Sequence, residues 1–166
     1  LPIFAVSIGL EREGKLVAGV IYNPITEELF TAEKGSGAFM NDRRMRVAAR
    51  RKLADCVVST AIPHIGSKTL GRYLEEAKAS SANASAVRGL GSAALNLAYV
   101  AAGRLDGYWE HSLQPWDMAA GIVIVREAGG FLSDISGGEQ MMETGGVIAG
   151  NETIRNAIRK TIIERR

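Results

Sequence analysis

The sequence has little cysteine, little net charge and no long apolar run. A single cysteine, Cys56, among 166 residues excludes an intrachain disulfide framework and is typical of a reducing compartment. The net charge of +2 gives no large field of one sign, which argues against binding to nucleic acid or to an anionic membrane. No apolar run approaches the roughly 18 residues of a membrane-spanning helix. We therefore expect a cytoplasmic protein with no membrane partner.

The composition is that of a folded domain. Apolar residues make up 46% of the sequence and charged residues 23%, close to the average for soluble globular proteins. A chain of 166 residues is about one domain long. Such a chain buries roughly 68–70% of its unfolded surface, so it can form a core without disulfides. These values exclude a disordered chain and predict one domain over residues 1–166.

The first third of the sequence, residues 1–55, predicts a meander of antiparallel strands. Apolar runs at 4–10, 16–22, 28–32 and 38–40 are separated by turn signals such as Asn23-Pro24. We interpret the opening residues, LPIFAVSIGLE, as a buried strand, and a core strand so early leads us to expect further chain before it. A basic stretch, Arg43 to Lys52, follows the meander. It is either a solvated connection or a nucleic-acid patch, and the lack of interleaved aromatic residues favours the connection.

Residues 56–166 alternate strands and helices, which predicts an α/β half joined to the meander. Apolar periodicity predicts helices over 70–81, 92–102, 115–128 and 151–166, with strands over 56–61, 86–87, 106–110, 131–134 and 146–149. Ser92 and Asn151 are suitable N-caps, and Gly103 is a suitable helix stop.

Cys56 lies in an apolar run and is interpreted as a small buried residue. His64 and His111 are candidate acid–base groups, but a structural role is favoured for both.

Asp117 is the first candidate site residue. It follows Pro115, which suits the first position of a helix, so Asp117 falls in the first helical turn. A carboxylate there is favoured by the free N–H groups and the positive end of the helix dipole. One interpretation is therefore a helix-capping aspartate. The other is a metal ligand or general base, because α/β sheets place their sites where strands pass into helices.

A second carboxylate and a second helix start lie near Asp117 in the predicted fold. Glu110 ends the strand that precedes Asp117, and Gly91-Ser92-Ala93 begins the other small-residue helix. Unpaired N–H groups and small side chains allow an anion or a polyol to approach the backbone there. A divalent cation such as Mg²⁺ takes oxygen ligands and bridges carboxylates to substrate phosphate. The arrangement predicts phosphate-ester chemistry, although an N-cap at Ser92 and close helix packing explain the same residues equally well.

These residues resemble a known family. The run Trp116-Asp117-Met118-Ala119-Ala120-Gly121, continuing to Glu127-Ala128-Gly129-Gly130, resembles the second signature of the inositol monophosphatase family. Other segments of the chain agree in order and spacing: Pro2-Ile3-Phe4-Ala5-Val6-Ser7-Ile8, Gly19-Val20-Ile21-Tyr22-Asn23-Pro24, Gly35-Ser36-Gly37-Ala38-Phe39, Gly91-Ser92-Ala93-Ala94-Leu95-Asn96 and Gly107-Tyr108-Trp109-Glu110. The resemblance covers essentially the whole chain.

The resemblance implies a fold, an activity and a set of site residues. The implied fold is a layered sandwich of alternating helices and sheets of the inositol monophosphatase/fructose bisphosphatase type, usually a homodimer. The implied activity is lithium-sensitive, Mg²⁺-dependent hydrolysis of a phosphate monoester, such as inositol monophosphate. Asp117 matches a metal-binding, catalytic aspartate, and Glu110 matches a residue that binds the ring hydroxyls of the substrate. Gly91, Ser92 and Ala93 match substrate contacts, whereas Gln114 receives no role.

The resemblance also predicts a missing part. The first signature of the family, roughly Asp-Pro-Leu-Asp-Gly-Thr, supplies further metal ligands and is not among these residues. We therefore expect the C-terminal two-thirds of the family domain, which alone binds Mg²⁺ weakly and has little activity. The alternatives are another sugar or nucleotide phosphatase of the same superfamily, or a non-catalytic partner of the RNA-synthesis machinery.

Overall fold

The first sheet is an antiparallel meander of five strands in chain order. The computed structural model describes residues 2–63 and 67–163. The strands are β1 (Val6–Arg12), β2 (Lys15–Asn23), β3 (Glu28–Glu33), β4 (Gly37–Met40) and β5 (Arg43–Arg44). Glu13 and Gly14 both have positive φ, as a tight turn between β1 and β2 requires. The predicted meander is confirmed, and only β5 was missed, because two arginines carry no apolar alternation.

The second sheet is mixed and has the strand order β7-β6-β8-β10-β9. Its strands are β6 (Val57–Ser59), β7 (Ala86–Arg88), β8 (Gly107–Glu110), β9 (Phe131–Ser133) and β10 (Val147–Gly150). β6 runs parallel to both β7 and β8, whereas β10 runs antiparallel to β8 and β9. The central strands β8 and β10 are largely buried, as expected of strands covered on both faces.

The helices follow the predicted periodicity closely. They are α1 (Leu70–Asn83), α2 (Ala93–Ala101), α3 (Pro115–Glu127), α4 (Met141–Thr144) and α5 (Glu152–Ile163). Ser92 caps α2 and Asn151 caps α5, since each side chain accepts a hydrogen bond from the first turn of its helix. The sequence missed α4, which is too short to show a period. No helix within the described ranges combines the length and apolarity needed to cross a bilayer.

Helices and sheets alternate in layers. α2 and α3 lie between the two sheets, and α1 and α5 pack against each other on the outer side of the second sheet. The larger core fills the space around α2 and α3, and a smaller one lies beneath α5, whose Ile154, Ile158 and Ile162 point inward. Cys56 is buried in this smaller core, as predicted. The layered helix/sheet sandwich expected from the sequence is confirmed.

Small residues allow α3 to lie directly on the first sheet. Gly9 and Gly19 pair across β1 and β2. Gly9 faces Ala119 and Ala120 of α3, and Gly19 faces Ala120. A Cβ on Gly19 would stand 2.5 Å from the Ala120 carbonyl oxygen and 2.9 Å from its Cα. The helix and the sheet therefore meet backbone to backbone at this point.

The expectation that the opening strand is buried was wrong. The outward side chains of β1 are exposed: Val6 by 52%, Ile8 by 60% and Leu10 by 52%. β1 is the edge strand of the first sheet as described, and only its inward face packs on α3. Apolar alternation gives the direction of the side chains, but burial depends on what covers each face.

We predict that Gly19→Ala destabilises the protein by about 1–3 kcal/mol, because the added methyl group must push α3 away from the sheet. Urea denaturation monitored by circular dichroism measures the change. Gly71→Ala is the matched control: a Cβ on Gly71, in α1, meets no atom within 4 Å. In a helix this control should stabilise by up to about 1 kcal/mol. Equal stability of Gly19→Ala and the wild type would show that the contact is not tight.

Candidate functional site

The N-termini of α2 and α3 open on one cleft. Its volume is about 620 Å³, and the carboxyl end of β8 forms part of its wall. All the site residues predicted from the sequence line it: Gly91, Ser92, Ala93, Glu110 and Asp117. The carboxyl ends of strands are where open α/β sheets bind ligands. The structure therefore brings the candidate residues together, although their roles remain predictions.

The start of α2 offers backbone donors to the cleft. Ser92 Oγ accepts from Leu95 N at 3.4 Å, and the Ser92 carbonyl accepts from Asn96 N at 2.9 Å. The N–H groups of Ala93 and Ala94 precede these bonds and have no partner within the helix. Gly91 has a φ of 85°, a conformation that favours glycine. Small residues thus leave this helix start accessible to an anion or a hydroxyl group.

Asp117 is both a cap and a cleft residue. It lies in the first turn of α3, and its Oδ2 accepts a hydrogen bond from Gln114 N at 2.9 Å. No residue in the described part of the chain donates a hydrogen bond to Oδ1. The capping interpretation and the metal-ligand interpretation are therefore compatible, because each uses a different oxygen of the same carboxylate. Gln114 contributes its backbone N–H to this bond.

Glu110 stands in the same cleft with a perturbed pKa. Burial is the largest cause and raises the pKa of the carboxyl group, and the negative charge of Asp117 raises it further. The Tyr108 hydroxyl donates to Glu110 Oε2, and this hydrogen bond acts in the opposite direction. Two carboxylates on one cleft wall make a bound cation or a hydroxyl donor favourable there.

A buried acid–histidine pair supports the wall behind Glu110. Glu76 of α1 is almost fully buried, and its carboxylate lies 2.8 Å from His111 Nε2. The same carboxylate accepts from Trp109 Nε1 at 3.2 Å. Arg72 Nη1 lies 3.3 Å from His111 Nδ1 and can only donate, so Nδ1 is the acceptor and Nε2 carries the proton towards Glu76. The structural role favoured for His111 fits these contacts.

The short loop between β8 and α3 is held in an unusual conformation. Ser112 has a φ of 61°, which is uncommon for a residue other than glycine. Leu113 N donates to the Gly145 carbonyl at 2.8 Å, just after α4. This loop joins Glu110 to α3. It is held by α1 through the Glu76–His111 pair and by the end of α4 through Gly145, so both helices help to set the spacing between the Glu110 and Asp117 carboxylates. Sequence reasoning missed Glu76 and Gly145, because their partners lie far away in the sequence.

The cleft fits one part of a magnesium site. A carboxylate oxygen without a hydrogen bond is the type of donor that Mg²⁺ prefers, and Asp117 supplies one. Across residues 2–63 and 67–163, however, no three His, Cys, Asp or Glu side chains group closely enough to hold a metal ion. Asp117 by itself therefore does not make a magnesium site, because a complete set of ligands requires further oxygens.

The remaining candidates lie away from the cleft or outside the described residues. His64 is outside the described residues. Burial is the main cause that raises the pKa of Cys56 to about 11, so this thiol stays protonated and acts as a small core residue. The basic stretch is an extended connection, largely exposed, that pairs Arg50 Nη1 with Asp106 Oδ1 at 3.0 Å. This agrees with the solvated connection expected from its composition.

A second cavity lies beside the C-terminal half of α3. Its volume is about 370 Å³, and charged residues of both signs line it, among them Lys15, Arg126 and Glu127. The Glu127 carboxylate is already used, since it accepts from Gly35 N at 2.9 Å and Gly37 N at 2.8 Å. The first cleft, where helix N-termini and an unpaired carboxylate oxygen converge, is therefore the candidate site.

Comparison with known proteins gives a consistent match over the whole chain. Residues 1–165 match the inositol monophosphatase family. An inositol-1-monophosphatase from Mesorhizobium japonicum is 57% identical over 162 residues, covering 98% of this chain and 61% of the relative. A protein from Pseudomonas aeruginosa named Nus factor SuhB is 41% identical, covering 98% of this chain and 60% of that protein. The chain thus spans about three fifths of the length of these relatives.

The fold also matches that of a solved relative. The crystal structure of the extragenic suppressor protein suhB from Bartonella henselae superposes with a TM-score of 0.96 at 57% sequence identity. The match covers 99% of this chain and 63% of the crystallised one. The layered arrangement described above is therefore that of an experimentally known fold.

We predict that Glu76→Ala lowers the free energy of unfolding by about 1–3 kcal/mol, because Trp109 and His111 lose a buried acceptor. Glu76→Gln should cost less, since its amide oxygen can still accept one hydrogen bond. Thermal and urea denaturation measure both variants. Glu75→Ala, at the exposed neighbouring position, is the control and should change stability by less than about 0.5 kcal/mol. If Glu75→Ala and Glu76→Ala cost the same, the buried pair does not stabilise the fold.

Proposed function

The chain belongs to the inositol monophosphatase family, and from this premise we propose that the full-length protein hydrolyses phosphate monoesters with the help of Mg²⁺. Inositol monophosphate is the substrate we propose first, because a relative that is 57% identical is named an inositol-1-monophosphatase. The observation that carries the proposal is the cleft itself. The Asp117 carboxylate, which has one oxygen without a hydrogen bond, lines the same cleft as the unpaired N–H groups at the start of α2.

Each end of a phosphate monoester has a complementary group in this cleft. The phosphate is anionic, and the N–H groups at the start of α2 favour an anion. The alcohol end of inositol phosphate carries hydroxyl groups, and the Glu110 carboxylate can accept hydrogen bonds from them. Ser92 keeps α2 in place by capping it, and Gly91 and Ala93 leave room for the substrate to approach the backbone.

Asp117 is the residue that we propose as a metal ligand. Its Oδ2 is fixed by the backbone of Gln114, so Oδ1 can face a cation without reorganising the helix. Asp117 would hold Mg²⁺ through Oδ1, and the metal would supply activation of the attacking water and charge neutralisation at the phosphoryl group. Hydrolysis then depends on positioning and on electrostatic stabilisation. The chain's own contribution is to hold the alcohol through Glu110 and the phosphate beside the start of α2.

Family membership is also the support for three finer proposals. We propose lithium sensitivity, a homodimer and a cytoplasmic location, as members of this family typically have. A related phosphatase substrate, such as another sugar phosphate or a nucleotide phosphate, is the alternative within the same chemistry. A panel of these esters assayed on the full-length protein distinguishes them.

A second candidate function is that of a non-catalytic partner of the RNA-synthesis machinery. A relative that is 41% identical is named Nus factor SuhB. All six basic side chains of the basic stretch are exposed and offer a charged surface: Arg43, Arg44, Arg46, Arg50, Arg51 and Lys52. This surface is separate from the cleft, so the two functions can be tested independently.

We predict that Asp117→Asn in the full-length protein lowers Mg²⁺-dependent phosphate release from inositol monophosphate by about 100-fold. The fold should persist, because asparagine can still cap α3 through its side-chain oxygen. Phosphate release and thermal unfolding are the two measurements. Asp42→Asn, an exposed loss of the same charge, is the control and should leave the activity unchanged.

Activity retained by Asp117→Asn would show that this carboxylate is only a cap. The same variant separates the second candidate function from the first. If it is inactive as a phosphatase but still captures purified RNA polymerase as well as the wild type does, the non-catalytic role gains support. Capture lost on charge reversal of Arg46 and Arg51 would assign that role to the basic connection.

We predict that the 166-residue chain alone binds Mg²⁺ weakly and hydrolyses inositol monophosphate far more slowly than the full-length protein. The reason is that Mg²⁺ keeps its waters unless several oxygens converge, and Asp117 is one ligand. Isothermal titration with MgCl₂ and a phosphate-release assay test this. Equal activity of the two proteins at equal concentration would contradict the prediction and would mean that these residues suffice.

A further inference from the structure

Tyr108 and Glu110 share one face of β8. Side chains two residues apart on a strand point to the same side of the sheet, here towards α2 and α3. The Tyr108 ring is fully buried in the larger core, and its hydroxyl donates to Glu110 Oε2. Glu110 lines the cleft, so Tyr108 contacts a cleft carboxylate from inside the core.

The two oxygens of the Glu110 carboxylate differ in their hydrogen bonding. Oε2 accepts a hydrogen bond from the Tyr108 hydroxyl, whereas no residue of the described chain donates to Oε1. A glutamate side chain that is free to rotate loses conformational entropy when it binds a ligand. Because Tyr108 already holds one oxygen, much of this loss has occurred before the substrate arrives, which is the basis of pre-organised binding.

Tyr108 remains a hydrogen-bond donor in its surroundings. Burial is the largest cause that raises the pKa of Tyr108 well above its ordinary value, and the negative charge of Glu110 adds to it. The nearby Asn96 side chain acts in the opposite direction. The hydroxyl donates to Glu110 Oε2, so Glu110 is the acceptor for the phenol. A neutral phenol is retained at physiological pH.

We propose that Tyr108 is a positioning residue: its hydroxyl fixes the Glu110 carboxylate so that Oε1 faces the hydroxyl groups of a polyol phosphate. This rests on the proposed function. The role differs from merely satisfying a buried phenol. If Tyr108 acts only through core packing, its loss lowers stability and affects all substrates equally, whereas positioning affects only substrates whose hydroxyl groups contact Glu110.

The test is Tyr108→Phe in the full-length protein, assayed with inositol 1-phosphate and with p-nitrophenyl phosphate, which has no hydroxyl groups for Glu110. Loss of a hydrogen bond to a charged group should raise KM for inositol 1-phosphate by about tenfold, with kcat nearly unchanged. KM for p-nitrophenyl phosphate should stay the same. The Tyr108 hydrogen bond lowers the pKa of Glu110, so its loss should also shift the acidic limb of kcat/KM to higher pH.

Matched variants decide the interpretation. Tyr99→Phe removes a phenol of α2 that contacts Asn23 Nδ2 at 3.4 Å and should leave KM unchanged. In a Glu110→Ala background, Tyr108→Phe should add no further increase in KM, because there is no side-chain acceptor left to position. An additive increase would overturn the proposal, as would an equal loss of kcat/KM on both substrates.

A second change keeps the test available if Tyr108→Phe melts below the assay temperature. Replacing Tyr108 with 3-fluorotyrosine keeps the ring and makes the hydroxyl a stronger donor, so the acidic limb of kcat/KM should shift to lower pH. No shift would overturn the proposal. The two hypotheses fail differently: a wild-type protein without phosphatase activity contradicts the proposed function, whereas an active wild type with unchanged variants contradicts the role of Tyr108.

Discussion

The site depends on the backbone contact between α3 and the first sheet. Gly9 and Gly19 let the backbone of α3 at Ala119 and Ala120 lie directly against β1 and β2. Asp117 stands two residues earlier on the same helix, so this contact sets its position relative to the cleft. Because α3 is closely packed on β1 and β2 here, a small increase in side-chain volume at this contact would shift the whole helix. The chemistry of the cleft is in this sense supported by glycines that touch no ligand.

The cleft combines opposite electrostatic preferences within one wall. The start of α2 favours negative charge, whereas Asp117 and Glu110 favour a cation or hydroxyl donors. The pKa of Glu110 is raised by burial first and by the charge of Asp117 second, so the two carboxylates repel each other unless a ligand separates them. Such a wall suits a ligand with an anionic end and a neutral, hydroxylated end. Glu76 and His111 pair with each other directly behind this wall.

Local signals in the sequence predicted most elements, because caps, turns and periodicity act over a few residues. Ser92, Asn151 and Gly103 begin or end their helices as expected, and the strands of the meander follow their turn residues. What the sequence did not predict is non-local. From the sequence alone, Glu76 is expected on the surface, and it is buried only because α1 packs behind β8. Helix α4 is too short to show a helical period in the sequence. The cleft residues were predicted to converge, but the hydrogen bond that joins Tyr108 to Glu110 needed the geometry of β8.

The two faces of β1 lie in different environments. Its inward side reaches the cleft, where Ser7 Oγ donates to the Trp116 carbonyl at 3.3 Å. Its outward side is apolar and exposed, and its edge has unpaired backbone groups in the described sheet. An edge of this kind is a template on which further strands add. Any strand that adds to this edge would therefore pair with residues that lie outside the cleft.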